Sequence, residues 1–468
     1  MTGMSQMSHD LSYLIPEVIV LIAGGGTLAL EMLRLPRAAL AFAIVGLLLA
    51  ACLTLPLLGV DTSVFGGTFR IDTLSVWAKL ILLPSTVLSL LLVRAELAGS
   101  DREGAVYSLL CFTTFGALVL AGGGDAMFLV LGVLLSSLGA FALVAYPRND
   151  AATEAAMKFF VFASVTGSVM IFGLTYWFGA TGSTLLADLA HLDKAPLAAA
   201  VGLVAVITGL GYKASLAPFH FWAPDAYEGA PIAVAAYLSV VPKIGAIFAL
   251  AQVVRDLPST TGWPLVVAFV AVLTMSWGYL AALVQNNVVR LLAYSSIAQA
   301  GYFLLGIVAV GESPLAQSSL VVFAAAYAAM NLGAFAIVQG TGRTLDAFSG
   351  MARTTPVAGI AMTVFLISLV GIPPLAGFVG KFLLFGAAID AHFTWLTVVA
   401  ILNSVLSLAV YLRIIVPMFR SGGDEGEGNV IPPRGNAPLI IAVWVIALMV
   451  TVGLGFAGQL ILATVARA

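Results

Sequence analysis

Three lysines stand in apolar surroundings: Lys213 in ITGLGYKASLAPF, Lys243 in YLSVVPKIGAIF and Lys381 in LAGFVGKFLLF. A lysine at the centre of a membrane-spanning helix costs about 2.5 to 3.5 kcal/mol, so its presence asks for a reason. An amine stripped of water can release and regain a proton near neutral pH, and one such group is suited to carrying protons. The competing reading for each lysine taken singly is a head that snorkels to an interface or a static ion pair. Three together, two of them beside helix-breaking prolines, favour the carrier. His220, in PFHFWAPDAYEGAP, can pass protons through its imidazole, and a satisfied core histidine is the equal alternative. Asp225 is read as capping the next helix, while Glu228 stays open between capping and chemistry. Lys79 follows Asp72 by a few residues, where snorkelling is at least as good a reading. His191 and His392 fall near span ends, where solvation is the default.

The elements that hold these residues follow from composition. Of 468 residues, 61% are hydrophobic and only 9% charged, against about one-quarter charged in soluble domains. A water-soluble fold is excluded. Apolar runs recur that are long enough to cross a hydrocarbon core about 30 Å thick. The breaks between them predict spans at 14–34, 38–58, 73–94, 106–122, 125–146, 154–178, 199–225, 230–254, 263–284, 287–311, 315–340, 355–390, 394–418 and 437–462. The seventh is interrupted around Pro218 and Pro224 and the twelfth around Gly371, Pro373 and Pro374. Broken backbone at membrane depth is tolerated where protein or a wet cavity satisfies it, and paired broken helices mark internal repeats flanking an ion site.

Other function classes find no support. A net charge of −2 gives no basic surface for nucleic acid. Cys52 and Cys111 lie in apolar runs without metal-ligand spacing and read as small core residues. The runs Gly24–Gly26 and Gly122–Gly124 lack the strand, spacing and ending of a phosphate loop, which leaves close helix packing or a turn. No nucleotide fingerprint, haem attachment or nucleophile–base set is present, so no redox chemistry is expected of this chain alone. The first fourteen residues carry no basic stretch, and no cleaved leader is expected. Arg34, Arg37, Arg94, Arg102, Arg148, Arg290, Arg343, Arg353, Arg420 and Arg434 follow odd-numbered spans, whereas only Arg70, Lys194 and Arg255, with Arg467 at the C-terminus, follow even-numbered ones. The positive-inside rule then places both termini in the periplasm. The segment from Ser421 to Asn436, with Asp424, Glu425 and Glu427, reads as a cytoplasmic connector.

The segment GLGYKASLAPFHFWAPDAYEGAP resembles the signature of the antiporter-like subunits of respiratory complex I, and its ending is most similar to the N-subunit family of the bacterial NADH:quinone oxidoreductases. LIPEVIVLIAGG, QNNVVRLLAYSSIAQAGY and SLVGIPPLAGFVGKFLLF extend the likeness over nearly the whole chain. The resemblance implies an all-α polytopic membrane protein of about fourteen helices, with two inverted five-helix repeats and discontinuous helices seven and twelve. It divides the chain into 1–105 (helices one to three), 106–260 (first repeat), 261–420 (second repeat) and 421–468 (connector and last helix). It implies proton translocation in a bacterial inner membrane, with Lys213, Lys243 and Lys381 at the family's lysine positions. NADH, FMN, iron–sulfur clusters and quinone are expected on partner subunits of the complex, alongside adjacent membrane-arm subunits and lipids. Cation/proton antiporter subunits, membrane-bound hydrogenase subunits and a complex I scaffold with impaired pumping are the alternatives. Two positions depart from the pattern. GVLLSSL puts Leu134 where the family carries a glutamate paired with the seventh-helix lysine, and SSIAQAG puts Gln299 in place of a histidine. The first departure implies an altered or dead first half-channel, unless a neighbouring subunit or ordered water compensates.

Overall fold

The computed structural model describes residues 2–100, 102–420 and 437–465. Its helices in chain order are α1 (Thr2–Tyr13), α2 (Ile15–Met32), α3 (Pro36–Thr54), α4 (Thr73–Leu97), α5 (Glu103–Gly122), α6 (Ala126–Ala145), α7 (Asp150–Thr181), α8 (Pro196–Ala214), α9 (Trp222–Gly229), α10 (Ile232–Asp256), α11 (Trp263–Ala282), α12 (Val288–Val308), α13 (Ala316–Thr341), α14 (Met351–Thr354), α15 (Pro356–Val370), α16 (Ala376–Asp390), α17 (Thr394–Phe419) and α18 (Ala437–Val465). Thirteen of the described helices are long and apolar enough to cross a membrane. The half-helices α15 and α16, 15 residues each, supply the fourteenth crossing between them.

Local sequence sets the helix starts. Asp72 and Ser75 form a reciprocal capping box on α4, and Asp125, Asn149 and Asn287 cap α6, α7 and α12 with side-chain oxygens. Each oxygen takes up backbone donors that the first helical turn leaves unpaired. Pro36, Pro196 and Pro356 open α3, α8 and α15, where the missing N–H of proline costs nothing.

The helices sort by depth. α10, α12 and α13 are buried on nearly every side, which requires apolar residues all round rather than one stripe. α3, α7 and α18 are peripheral, and Phe160, Phe172, Phe382 and Val405 lie exposed on the outer surface. Apolar exposure on this scale suits lipid tails and not water. The glycine runs serve packing, as expected: Gly24 lies against the Phe112 ring, and a side chain at Gly124 would meet the Gly67 carbonyl oxygen.

Several features depart from the expected elements. α1 and a short antiparallel hairpin, β1 (Thr62–Val64) with β2 (Phe69–Ile71), were not anticipated. Three-residue strands are too brief to leave a periodic signal. Pro224 does not break the chain: it falls in the first turn of α9, where a proline is accommodated. The seventh crossing is interrupted over 215–221 instead. The expected connector from Ser421 to Asn436 lies outside the described residues.

Candidate functional site

The two broken crossings are interrupted in the same way. α8 ends at Ser215 with φ +60° and α15 ends at Gly371 with φ +96°, and in each a proline, Pro218 or Pro374, follows three residues later behind a cis peptide bond. Proline removes a donor and excludes the helical conformation before it, so the helix stops and its last carbonyls need other partners.

Lys213 occupies the last turn of α8, 2% exposed. Its Nζ donates to Ser136 O at 2.8 Å and Ser137 Oγ at 2.9 Å on α6, and lies 5.9 Å from the Phe159 ring centre. Lys243 sits at mid-α10, directly after Pro242, and donates to Ser296 O at 2.8 Å and Ser296 Oγ at 2.5 Å on α12. Lys381, near the start of α16, donates to Leu369 O at 2.9 Å, Val370 O at 3.0 Å and Ser404 Oγ at 3.4 Å. Its Nζ is 3.9 Å from the Tyr302 ring centre, a cation–π distance. All three are buried, and none belongs to an ion pair among the described residues. A buried ammonium without a counter-ion is expensive unless dipoles replace water around it, and here carbonyl and hydroxyl oxygens do so. An ammonium has three protons to donate. Two acceptors each around Lys213 and Lys243 leave room for a proton to arrive or depart, whereas Lys381 has three.

Hydrogen bonds tie Lys243 to the second break. One turn along α12 from Ser296, Gln299 is fully buried and its Nε2 donates to Leu369 O at 2.9 Å, the carbonyl that Lys381 also holds. Gln299 further donates to Tyr279 and Tyr411 hydroxyls at 3.1 and 3.3 Å, while its Oε1 accepts from no described group. The departure at 299 therefore places a neutral amide between two lysines. His220 lies in the first break, buried, with its ring against Phe221 and Trp277 and its Nδ1 without a partner. No described hydrogen bond joins it to a lysine.

Leu134 is 50% exposed, one turn before Ser137, the α6 side chain that meets Lys213. The structure corrects expectations from sequence at Asp225 and Lys79. Asp225 does not cap a helix. It pairs with Arg290 at 2.7 Å and Lys158 at 3.0 Å. The cap of α10 is Glu96 on α4, which accepts from Ile232 N at 3.0 Å and Ala233 N at 2.8 Å. Glu228 pairs with Arg290 at 2.8 Å and accepts from Asn287. Lys79 does not snorkel: it is 1% exposed and lies 2.8 Å from Glu17 on α2. A carboxylate inside the first apolar run, in LIPEVIV, was the available signal for that pair. His191 and His392 are exposed, as expected.

Among the described residues no three His, Cys, Asp or Glu gather as metal ligands. Cys111 is buried on α5 as expected of a core residue, whereas Cys52 is exposed on α3 against that expectation, so the two do not form an iron–sulfur ligand set.

Residues 123–407 match the family model described as NADH:quinone oxidoreductase/Mrp antiporter, TM. The chain is 39% identical over 402 residues to NADH-quinone oxidoreductase subunit N of Mycobacterium sp. (strain JLS), covering 85% of this chain and 86% of the relative. It is 37% identical to NADH-quinone oxidoreductase subunit N 1 of Streptomyces griseus, covering 97% and 98%, and 35% identical to F(420)H(2) dehydrogenase subunit N of Methanosarcina mazei, covering 93% and 94%. In solved structures, a chain of respiratory complex I from Thermus thermophilus superposes with a TM-score of 0.84 at 30% identity, covering 97% of this chain and all of that one. A chain of the Mrp complex from Dietzia sp. shares the fold at 23% identity, covering 98% and 96%, with a TM-score of 0.84. Motifs, broken helices and buried lysines agree with these likenesses, and the chain belongs to the NADH:quinone oxidoreductase/Mrp antiporter family of membrane subunits.

Proposed function

We propose that this chain is the proton-carrying N subunit of a redox-driven membrane complex of the NADH:quinone oxidoreductase type, and that Lys213, Lys243 and Lys381 carry the protons. Electron transfer from NADH to quinone belongs to partner subunits with their FMN and iron–sulfur clusters. The observation that carries this reading is the set of three buried lysines without carboxylate partners, each held by oxygens of a neighbouring helix or half-helix. An amine in that setting changes protonation at modest cost, because the same oxygens serve as acceptors for both forms. The Leu369 carbonyl, shared by Gln299 and Lys381, links the protonation of one end of the row to the amide orientation at its middle. His220 stands beside the first break as a further proton-passing group. Moving one charge through 100 mV takes about 2.3 kcal/mol, which redox chemistry in the partners supplies.

The arginine distribution favours an orientation with both termini in the periplasm and the face bearing Asp225, Arg290 and Arg343 in the cytoplasm of a bacterial cell. Lipid-facing α3 and α7 and the exposed surface around Leu134 are suited to membrane lipids and adjacent membrane-arm subunits. The division into 1–105, 106–260, 261–420 and 421–468 gives each repeat one broken crossing. The Methanosarcina relative, named for a different electron donor, leaves the donor module as the open variable of the complex.

The test is the number of protons moved per electron pair by the assembled complex in proteoliposomes. Lys243→Ala lowers that ratio by at least one proton. A complex that assembles with Lys243→Ala and keeps the parental ratio contradicts the reading.

A further inference from the structure

A cavity near the arginine-rich face has a volume of about 820 Å³ and is lined by Glu96, Tyr146, Arg148, Glu228, Asn287 and Arg343. Its carboxylate Glu96 is also the cap of α10, so the cavity reaches the start of the helix that carries Lys243. From Ile232 to Lys243, α10 spans about 16 Å at 1.5 Å per residue.

Polar groups descend along the seam of α4, α10 and α13 from that mouth. One turn inside Glu96, the Leu92 carbonyl accepts from Gln339 Nε2 at 3.0 Å, and Gln339 Oε1 is buried without a partner. Deeper on α13, Asn331 is fully buried; one end of its amide meets Ser239 Oγ at 2.5 Å and the Tyr327 hydroxyl at 3.3 Å. The other end, Oδ1, accepts from no group among the described residues. The Tyr327 hydroxyl donates to Ser239 O at 2.9 Å. Ser239 lies about 10 Å inside the start of α10 and one turn before Lys243, on the same face.

A buried amide oxygen without a hydrogen bond is costly, and native proteins satisfy such groups with ordered water. Two of them on α13, between a solvent-filled crevice and a buried lysine, mark places where water is held. We infer that the seam from Glu96 through Gln339 and Asn331 to Ser239 is the intake by which protons from the arginine-rich side reach Lys243. This rests on the lysine reading above. Glu96 exchanges protons with the crevice, water bound at the Gln339 and Asn331 amides carries them inward, and the Ser239 and Tyr327 hydroxyls hand them to the α10 amine. No charge need rest in the seam, because each hop along hydroxyls and water moves a proton in and another out.

The experiment compares protons per electron pair for the complex carrying Asn331→Leu, Glu96→Gln, Glu96→Asp or Lys243→Ala, with the thermal midpoint of each. Leucine matches asparagine in bulk but holds no water. Glutamine keeps one of the two oxygens that cap α10 and exchanges no proton. The expected result is that Asn331→Leu and Glu96→Gln lower the ratio as far as Lys243→Ala does, that Glu96→Asp recovers at least half of the loss, and that Glu96→Gln shows a small fall in midpoint from its one lost cap bond. If Lys243→Ala lowers the ratio while Asn331→Leu and Glu96→Gln keep it, the intake lies elsewhere and the lysine reading stands. If Lys243→Ala itself keeps the parental ratio, that reading fails and the intake with it. If Glu96→Gln loses ratio and midpoint together and Asn331→Leu loses neither, Glu96 is a cap alone and the intake is refuted.

Discussion

At the first break, the carbonyl of Tyr212 accepts the indole N–H of Trp222 at 2.8 Å. At the second, the carbonyls of Leu369 and Val370 accept the amine of Lys381. The interruptions have the same form, but a neutral aromatic seals one and a buried lysine seals the other. Lys213 is thereby free of its own helix end and reaches across to α6, while Lys381, a member of the proposed proton row, also closes α15. The C-terminal carbonyls of a half-helix are its negative pole, so the second site favours a resident cation in a way the first does not. Two lysines, one just before its break and the other just after, thus differ in how much structure depends on each.

Removing each amine separates these duties. Lys213→Met and Lys381→Met both delete one buried amine, so the relief from burying a charge largely cancels in their difference. Ser136 O keeps its helical bond in the first variant, whereas Val370 O, at a helix end, loses its donor in the second. Lys381→Met should therefore be less stable than Lys213→Met by about 1 to 3 kcal/mol, read as a lower thermal midpoint of the detergent-solubilised complex. Equal midpoints would remove the sealing role. Trp222→Phe takes one donor from Tyr212 O and keeps most of the ring stacked on Phe159. It should cost about 1 to 2 kcal/mol with no loss of a titrating group, and a larger loss than that of Lys381→Met would reverse the comparison. The smallest effect is expected of Leu134→Glu. Position 134 is half exposed, one turn from the serine that meets Lys213, so a solvated carboxylate there should leave protons per electron pair at the parental value; a change would show that residue 134 reaches the proton row.

The lysines and the breaks were legible in the sequence because each is a local violation, a charge or a proline in an apolar run. The spans were legible from length alone. What each lysine touches was not. Glu96 ends α4 with the composition of any helix terminus, and its bond to α10 joins residues that only the fold brings together. The Glu17–Lys79 pair likewise needs α2 laid against α4. For Leu134, a family position gives a place along a helix, but only the fold shows that Ser137, one turn on, meets Lys213. Gln299 could be seen to replace a histidine, yet its bond to the carbonyl held by Lys381 depends on where α15 stops.

The most direct test of the central claim is proton counting in proteoliposomes for the complex with Lys213→Met and with Lys381→Met, normalised to electrons delivered to quinone. The account predicts that both substitutions lower the ratio although only one unseals a helix. A complex that assembles with Lys213→Met and still moves the parental number of protons would contradict it, since Lys213 has no sealing duty behind which a silent result could hide.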